Sequence, residues 1–166
     1  AIRRLNPDTT LETLIPDFQG NHTNINRIVE AAPEVVSHNV ETVRRLTREV
    51  RIQAKYDQSL AVLRYLKEMG VNRTKSGIML GLGETEEEVF ETLHDLRKAE
   101  VDVVTIGQYL QPTKKHLPVK SFITPDTFQK YAHPTPRWHQ TDRLRTPMVA
   151  RCPWTCQSAR RLWFTS

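Results

Sequence analysis

The strongest constraint on this chain is an alternation of short, nearly unbroken apolar runs with segments of helical period. Residues 11–18 (LETLIPDF) form one such run, stopped by Pro16 and Asp17 and read as a buried strand, and Gln19-Gly20-Asn21 then makes a turn. Ile25, Ile28 and Val29 stand at helical spacing on a segment that must end before Pro33. Val35-Val36 gives a second strand that closes at Ser37-His38-Asn39. Glu41 to Val50 places Val43, Leu46 and Val50 on one helical face, and a further helix starts from a cap at Asp57 or Ser59 and ends at Gly70.

The third strand, Lys75 to Leu80, is the clearest, and it runs into Gly81-Leu82-Gly83-Glu84. Thr85 to Glu88 spells T-x-x-E, a capping box, ahead of the stripe Val89, Leu93, Leu96. Val101 to Ile106 is a β-branched fourth strand ending at Gly107-Gln108-Tyr109, and a helix near Pro125-Asp126 turns Phe128 and Tyr131 inward. Strands that are nearly continuously apolar, not alternating, point to parallel strands covered by helices on at least one face. The expected fold class is therefore α/β, with parallel strands under a layer of helices.

In parallel α/β architectures chemistry collects beyond the carboxyl ends of the strands. The polar residues at those ends are Asp17, Ser37, His38, Asn39, Glu41, Glu84, Gln108 and Tyr109, with Lys114, Lys115 and His116 in the following loop. Together they read as the rim of a small-molecule pocket. Gly81-Leu82-Gly83 lacks the Lys-Ser/Thr of a phosphate loop, and the glutamates after it would repel a phosphate. A tight turn with an acidic cap is the expected reading, with Glu84 still open to an amine or hydroxyl ligand. His38 and Glu41 have i, i+3 spacing that suits a metal, but no second cluster completes a ligand set, so His38 is expected to be structural. The lysines of the loop read as solvated.

Charge and composition divide the chain near residue 131. Residues 1–130 hold 18 Lys/Arg against 18 Asp/Glu, whereas residues 131–166 hold six Arg against one acid, which accounts for the net +5. Both cysteines, all three tryptophans and four of the ten prolines also lie in that tail. A basic aromatic segment can be a nucleic-acid or membrane arm. The absence of any apolar period favours a replaced, disordered or out-of-frame C-terminus over residues 132–166. Cys152 and Cys156 form C-x3-C, which is neither a zinc nor a thioredoxin spacing. No apolar window reaches the roughly 18 residues of a membrane span and no leader stands at the N-terminus, so a cytoplasmic chain is expected.

Longer strings carry a resemblance. Residues 12–18 (ETLIPDF), 38–42 (HNVET), 74–85 (TKSGIMLGLGET), 107–112 (GQYLQP) and 116–119 (HLPV), with Val43-Arg-Arg-Leu46 and Val50-Arg51, resemble the lipoyl synthase family over about residues 2–131. That resemblance implies a radical S-adenosylmethionine enzyme on a partial parallel (β/α) barrel, of which residues 1–131 would be the last four of six strand–helix units. It implies S-adenosylmethionine and two [4Fe–4S] clusters as cofactors, and sulfur insertion at C6 and C8 of an octanoyl group. The implied partner is an octanoylated lipoyl carrier domain, a 2-oxoacid dehydrogenase subunit or glycine cleavage carrier protein, with no membrane or nucleic acid. Asn39, Glu41 and Ser76 carry over as candidate cofactor contacts, with Lys75 as an alternative to Ser76.

The chain departs from the family at its cysteines. The family's C-x3-C-x2-C and C-x4-C-x5-C motifs are absent, and Pro147-Met148-Val149 only echoes its C-terminal serine stretch. No catalytic or metal-ligating residue is therefore expected in this chain, which reads as an inactive fragment of such an enzyme. The alternatives are a non-catalytic binding remnant and a nucleic-acid-binding protein using the arginine tail.

Overall fold

A computed structural model of the chain describes residues 2–132 and 148–151, the latter as backbone. After a short helix α1 (Ile2–Leu5), the order is β1 (Glu12–Leu14), α2 (His22–Glu30), β2 (Val35–Ser37), α3 (Thr47–Val50), α4 (Tyr56–Glu68), β3 (Arg73–Leu80), α5 (Glu86–Lys98), β4 (Val103–Gln108), α6 (Pro125–Ala132) and β5 (Met148–Arg151). The strands form one sheet in the order β1-β2-β3-β4-β5, every neighbouring pair parallel. The expected α/β class and its four strands are all present. β5 is a fifth strand that four residues without apolar period did not announce. The rest of the expected tail, 133–147 and 152–166, lies outside the described residues.

Side chains alternate across the sheet. On β3, Thr74, Ser76, Ile78 and Leu80 are buried, and their row faces the helices. Ile78 and Leu80 join Val104 and Ile106 of β4 in a core completed by Leu60 and Leu63 of α4, Val89, Leu93 and Leu96 of α5, and Phe128 and Tyr131 of α6. A smaller core holds Ile15, Ile25 of α2, Val36 of β2, and Val62 and Leu66 of α4. Each fully buried side chain of this size contributes about 1.5–3 kcal/mol. The opposite row, Glu12, Ser37, Lys75, Gly77 and Thr105, lies on the other face of the sheet.

Helix α5 begins at the expected capping box. The Thr85 hydroxyl accepts from Glu88 N–H at 3.3 Å and the Glu88 carboxylate accepts from Thr85 N–H at 2.8 Å. Four readings need correction. The strand expected over 11–18 is three residues long and Leu14 is exposed, because β1 has no outer neighbour among the described residues. Glu41 is not helical: a 3-10 turn at Arg44–Leu46 leads into α3, and the apolar spacing of Val43, Leu46 and Val50 belongs to that compact corner. Helix α4 starts at Tyr56 from Lys55 without a side-chain cap, since the Ser59 hydroxyl is engaged elsewhere. Strand β4 sits two residues later than expected, because Val101 packs under the end of α5.

Candidate functional site

At the carboxyl end of β1, Asp17 accepts from Gln58 Nε2 at 2.7 Å and from Gln19 N–H at 3.0 Å, so both its oxygens serve the fold. His38, after β2, is 1% exposed. Its Nδ1 lies 2.9 Å from the Ile15 carbonyl and its Nε2 2.9 Å from the Ser59 hydroxyl. A carbonyl only accepts, so Nδ1 carries the proton and Nε2 accepts from Ser59. Burial holds His38 below its ordinary pKa, opposed by the Ile15 carbonyl and aided by nearby Arg51. The residue is the structural histidine that the sequence leads one to expect.

The ends of β3 and β4 are closed in the same way. Glu84 accepts from Gly81 N–H at 2.5 Å and Leu82 N–H at 2.9 Å, which turns the Gly81–Gly83 segment back on itself. That use leaves no free carboxylate for the amine or hydroxyl ligand held open for Glu84. Gln108 donates to the carbonyls of Leu80, Tyr109 and Ser121 and accepts from Ile123 N–H, clamping the 117–123 segment over the turn. Tyr109 donates to the Leu117 carbonyl at 2.9 Å. Lys114, Lys115 and His116 are exposed, as expected of a solvated loop.

The end of β2 is different. Ser37 pairs with Lys75, an offset of 38 in number, whereas Glu41 pairs with Ile78, an offset of 37. One extra residue has entered the β2 side of the ladder. His38 N–H donates to the Lys75 carbonyl at 2.9 Å, and the next rung to Gly77 is taken by Glu41 N–H at 2.9 Å in place of Val40. Such a bulge bends the strand and re-aims the side chains beside it. Glu41 absorbs the slip with φ +71, a left-handed conformation that costs a non-glycine residue about 1–2 kcal/mol.

Asn39 and Glu41 flank this bulge, half-buried, and neither side chain makes a hydrogen bond or ion pair within the described residues. Arg51 reaches the Asn39 carbonyl at 2.8 Å and brings a guanidinium to the same place. The Asn39 amide lies over Gly77 of β3: a Cβ there would stand 3.0 Å from Asn39 Oδ1 and 2.9 Å from Thr105 Oγ1. The next residue, Thr42, is 1% exposed and its hydroxyl finds no partner among the described residues. Buried polar atoms rarely stay unpaired, so this end has capacity for a ligand.

Ser76 is not on that face. It is fully buried in the helix-facing row, beside Val104, and its hydroxyl accepts from Val40 N–H at 3.3 Å. Lys75 lies on the Asn39 side, where its ammonium pairs with Glu12 at 2.7 Å, and Glu12 also accepts from the Ser37 hydroxyl at 2.7 Å. Asn39 and Glu41 thus stand on either side of the bulge, one over Gly77 and the other bridged to Ile78, while Ser76 lies in the helix-facing row. Thr42 and Gly77 were not singled out from the sequence. A lone glycine inside a strand is itself a signal of close approach, and Gly77 carried it.

A carboxylate, an amide and a guanidinium at one strand end can take an ammonium, hydroxyl groups and a carboxylate of a small ligand. Among the described residues no group of three or more His, Cys, Asp and Glu can hold a metal, and both cysteines lie outside them, so these residues offer an iron–sulfur cluster no ligand set. No helix among them is long and apolar enough to cross a membrane.

Residues 1–96 match the family model described as the radical SAM superfamily. Over 131 residues, 79% of the chain, it is 83% identical to a lipoyl synthase of Flavobacterium johnsoniae and 82% identical to one of Christiangramia forsetii, covering 46% and 45% of those proteins. It is 76% identical over the same length to a mitochondrial lipoyl synthase of Nematostella vectensis, covering 45% of it. The chain spans about half the length of the curated relatives it matches. The family model covers more than half of the chain, its parallel sheet is of the expected kind, and the chain belongs to the radical SAM superfamily.

Proposed function

We propose that this chain is part of a lipoyl synthase and supplies one side of its S-adenosylmethionine site. The activity of the whole protein, on this reading, is insertion of two sulfur atoms at C6 and C8 of an octanoyl group held on a lipoyl carrier domain, in the cytoplasm. The observation that carries the assignment to a site is the set of unused side chains at the end of β2. Asp17, Glu84 and Gln108 are consumed by hydrogen bonds that hold the fold, whereas among the described residues the Asn39 and Glu41 side chains make none. Glu41 is suited to the ammonium or ribose hydroxyls of the cofactor and Asn39 to its polar edges, with Arg51 available to its carboxylate. When bound, S-adenosylmethionine supplies the hydrogen-abstracting chemistry of the superfamily. The residues here bind and orient it.

Two cysteines are too few for two clusters that each take three from the protein, so we infer that catalysis needs ligands this sequence does not carry. The identity to lipoyl synthases supports the choice of substrate class over a nucleic-acid role for the basic tail.

The test uses a full-length lipoyl synthase in which residues 1–131 of this chain replace the matched segment. Glu41→Gln removes a charge-assisted contact and is expected to weaken S-adenosylmethionine binding by about 1.5–3 kcal/mol, roughly tenfold or more, by calorimetry. Glu87→Gln, on the exposed first turn of α5, is expected to leave affinity unchanged. Equal affinities for the two variants would remove Glu41 from the site.

A further inference from the structure

Within the slipped ladder at the end of β2, one donor has lost its regular acceptor. Had the β2–β3 pairing continued past His38 in register, Val40 N–H would have met the Gly77 carbonyl. Glu41 N–H occupies that carbonyl instead, and the Glu41 carbonyl in turn accepts from Met79 N–H at 2.8 Å. Val40 is 1% exposed, so its amide has no access to water. A buried N–H without a partner costs about 1–3 kcal/mol, enough to push the strand back toward the regular register. Ser76, one residue before Gly77 and on the helix-facing side, supplies the missing acceptor through its hydroxyl at 3.3 Å.

The slip decides what Glu41 presents. A shift of one residue moves every following side chain to the other face of a sheet. In the regular register Glu41 would pair one step beyond Ile78, in an ordinary strand conformation. The bulge and the left-handed Glu41 replace that arrangement. Asn39 lies before the slip: the regular offset of 38 sets it opposite Gly77, and its amide is found there.

We propose that Ser76 is a positioning residue: its buried hydroxyl pins the one-residue slip between β2 and β3 and thereby sets the left-handed Glu41 for the ligand. The role rests on the cofactor reading given above and assigns Ser76 an action through Val40, not a contact with the ligand. It accounts for a hydroxyl wholly buried between Thr74 and Ile78 in the helix-facing row, next to the β2 end.

Two measurements test it. In the 166-residue chain, amide exchange at Val40 is expected to quicken about tenfold or more in Ser76→Ala, the loss of one buried hydrogen bond, and to stay near wild type in Ser76→Thr. In the full-length protein carrying residues 1–131, Ser76→Ala is expected to weaken S-adenosylmethionine binding by about as much as Glu41→Gln, roughly tenfold, with Ser76→Thr restoring it. Thr92→Ala is the control for stability alone. It removes another buried hydroxyl, bonded to the Glu88 carbonyl within α5, and should lower the melting temperature without changing affinity. If Ser76→Ala binds as wild type while Glu41→Gln is impaired, the positioning role is wrong and the cofactor reading stands. If Glu41→Gln also binds as wild type, the cofactor reading falls and takes the positioning role with it. A matching loss of affinity in Thr92→Ala would reduce Ser76 to a stability residue.

Discussion

The strand ends after β2 and after β3 lie side by side in one parallel sheet, and they treat their polar groups in opposite ways. After β3, Glu84 closes on two backbone amides of its own turn, Glu88 closes on Thr85 and on Arg45, and the segment 117–123 seals the turn from above. After β2, the ladder slips, Glu41 adopts a left-handed backbone, and Asn39, Glu41 and Thr42 keep side-chain capacity in hand. Both ends carry a glutamate four residues past the last strand residue. A carboxylate at a strand end therefore says little about function until its hydrogen bonds are counted.

The largest expected effect lies on the closed side. Gly81 has φ +100, and a Cβ there would run into the Ser121 carbonyl and the Gln108 amide. Gly81→Ala combines a strained backbone with a backbone clash and is expected to cost about 3 kcal/mol or more of folding stability, read by denaturant unfolding. Next comes the direct comparison of carboxylates. Glu84→Ala leaves two partly buried amides without a charged acceptor and is expected to cost about 1.5–3 kcal/mol. Glu41→Ala removes no side-chain bond and is expected to stay within about 0.5 kcal/mol of wild type. If the two variants unfold alike, the contrast between the strand ends does not hold.

Much of the closed side was legible in the sequence because it is built from local signals. The T-x-x-E box at Thr85, the glycines around Leu82 and the stripe Val89, Leu93, Leu96 all act within a few residues of chain. The open side was not legible, because it is made by pairing between residues about 37 apart. The helical spacing of Val43, Leu46 and Val50 is genuine, yet it drew Glu41 into a helix that starts only at Arg44. Ser76 was placed with Asn39 and Glu41 because an apolar strand gives no sign of which face a given residue takes. Asn39 and Glu41 stand out in the sequence only through resemblance and strand-end position. Sorting them from Asp17, Glu84 and Gln108 required knowing which hydrogen bonds were already made.

His38 sharpens the comparison because it sits beside the open residues and behaves like the closed ones. Its folded-state pKa is depressed, first by burial and then by Arg51, with the Ile15 carbonyl and Asp17 opposing. Between that value and the ordinary 6.5 the unfolded chain binds more protons than the folded one, so stability is full above about pH 6.5 and declines as pH falls below it. Glu12 and Glu88 are held below 4.5, Glu12 by the Lys75 ammonium and the Ser37 hydroxyl against desolvation, Glu88 first by Arg45, and they add losses only at lower pH. Denaturant midpoints between pH 8 and 5.5 are expected to fall for the wild type and to flatten in His38→Gln. A flat wild-type profile would mean that His38 accepts a proton where it stands and is not held neutral by burial.

The smallest effect has the opposite sign from the others. Glu41 holds φ +71 without any side-chain bond in return among the described residues. Relieving a left-handed non-glycine residue is worth about 1–2 kcal/mol, while glycine costs about 0.5–1 kcal/mol in chain entropy. The net expectation for Glu41→Gly is a gain of about 0.5–1 kcal/mol in folding stability. The same variant is expected to lose S-adenosylmethionine affinity as Glu41→Gln does, since the carboxylate is gone. Strain that is retained where its removal stabilises the fold needs another reason to exist, and binding is the reason the geometry offers. Unfolding and calorimetry on Glu41→Gly separate the two terms. A loss of stability would show that the Glu41 side chain supports the fold, and the β2 end would then be closed like its neighbour.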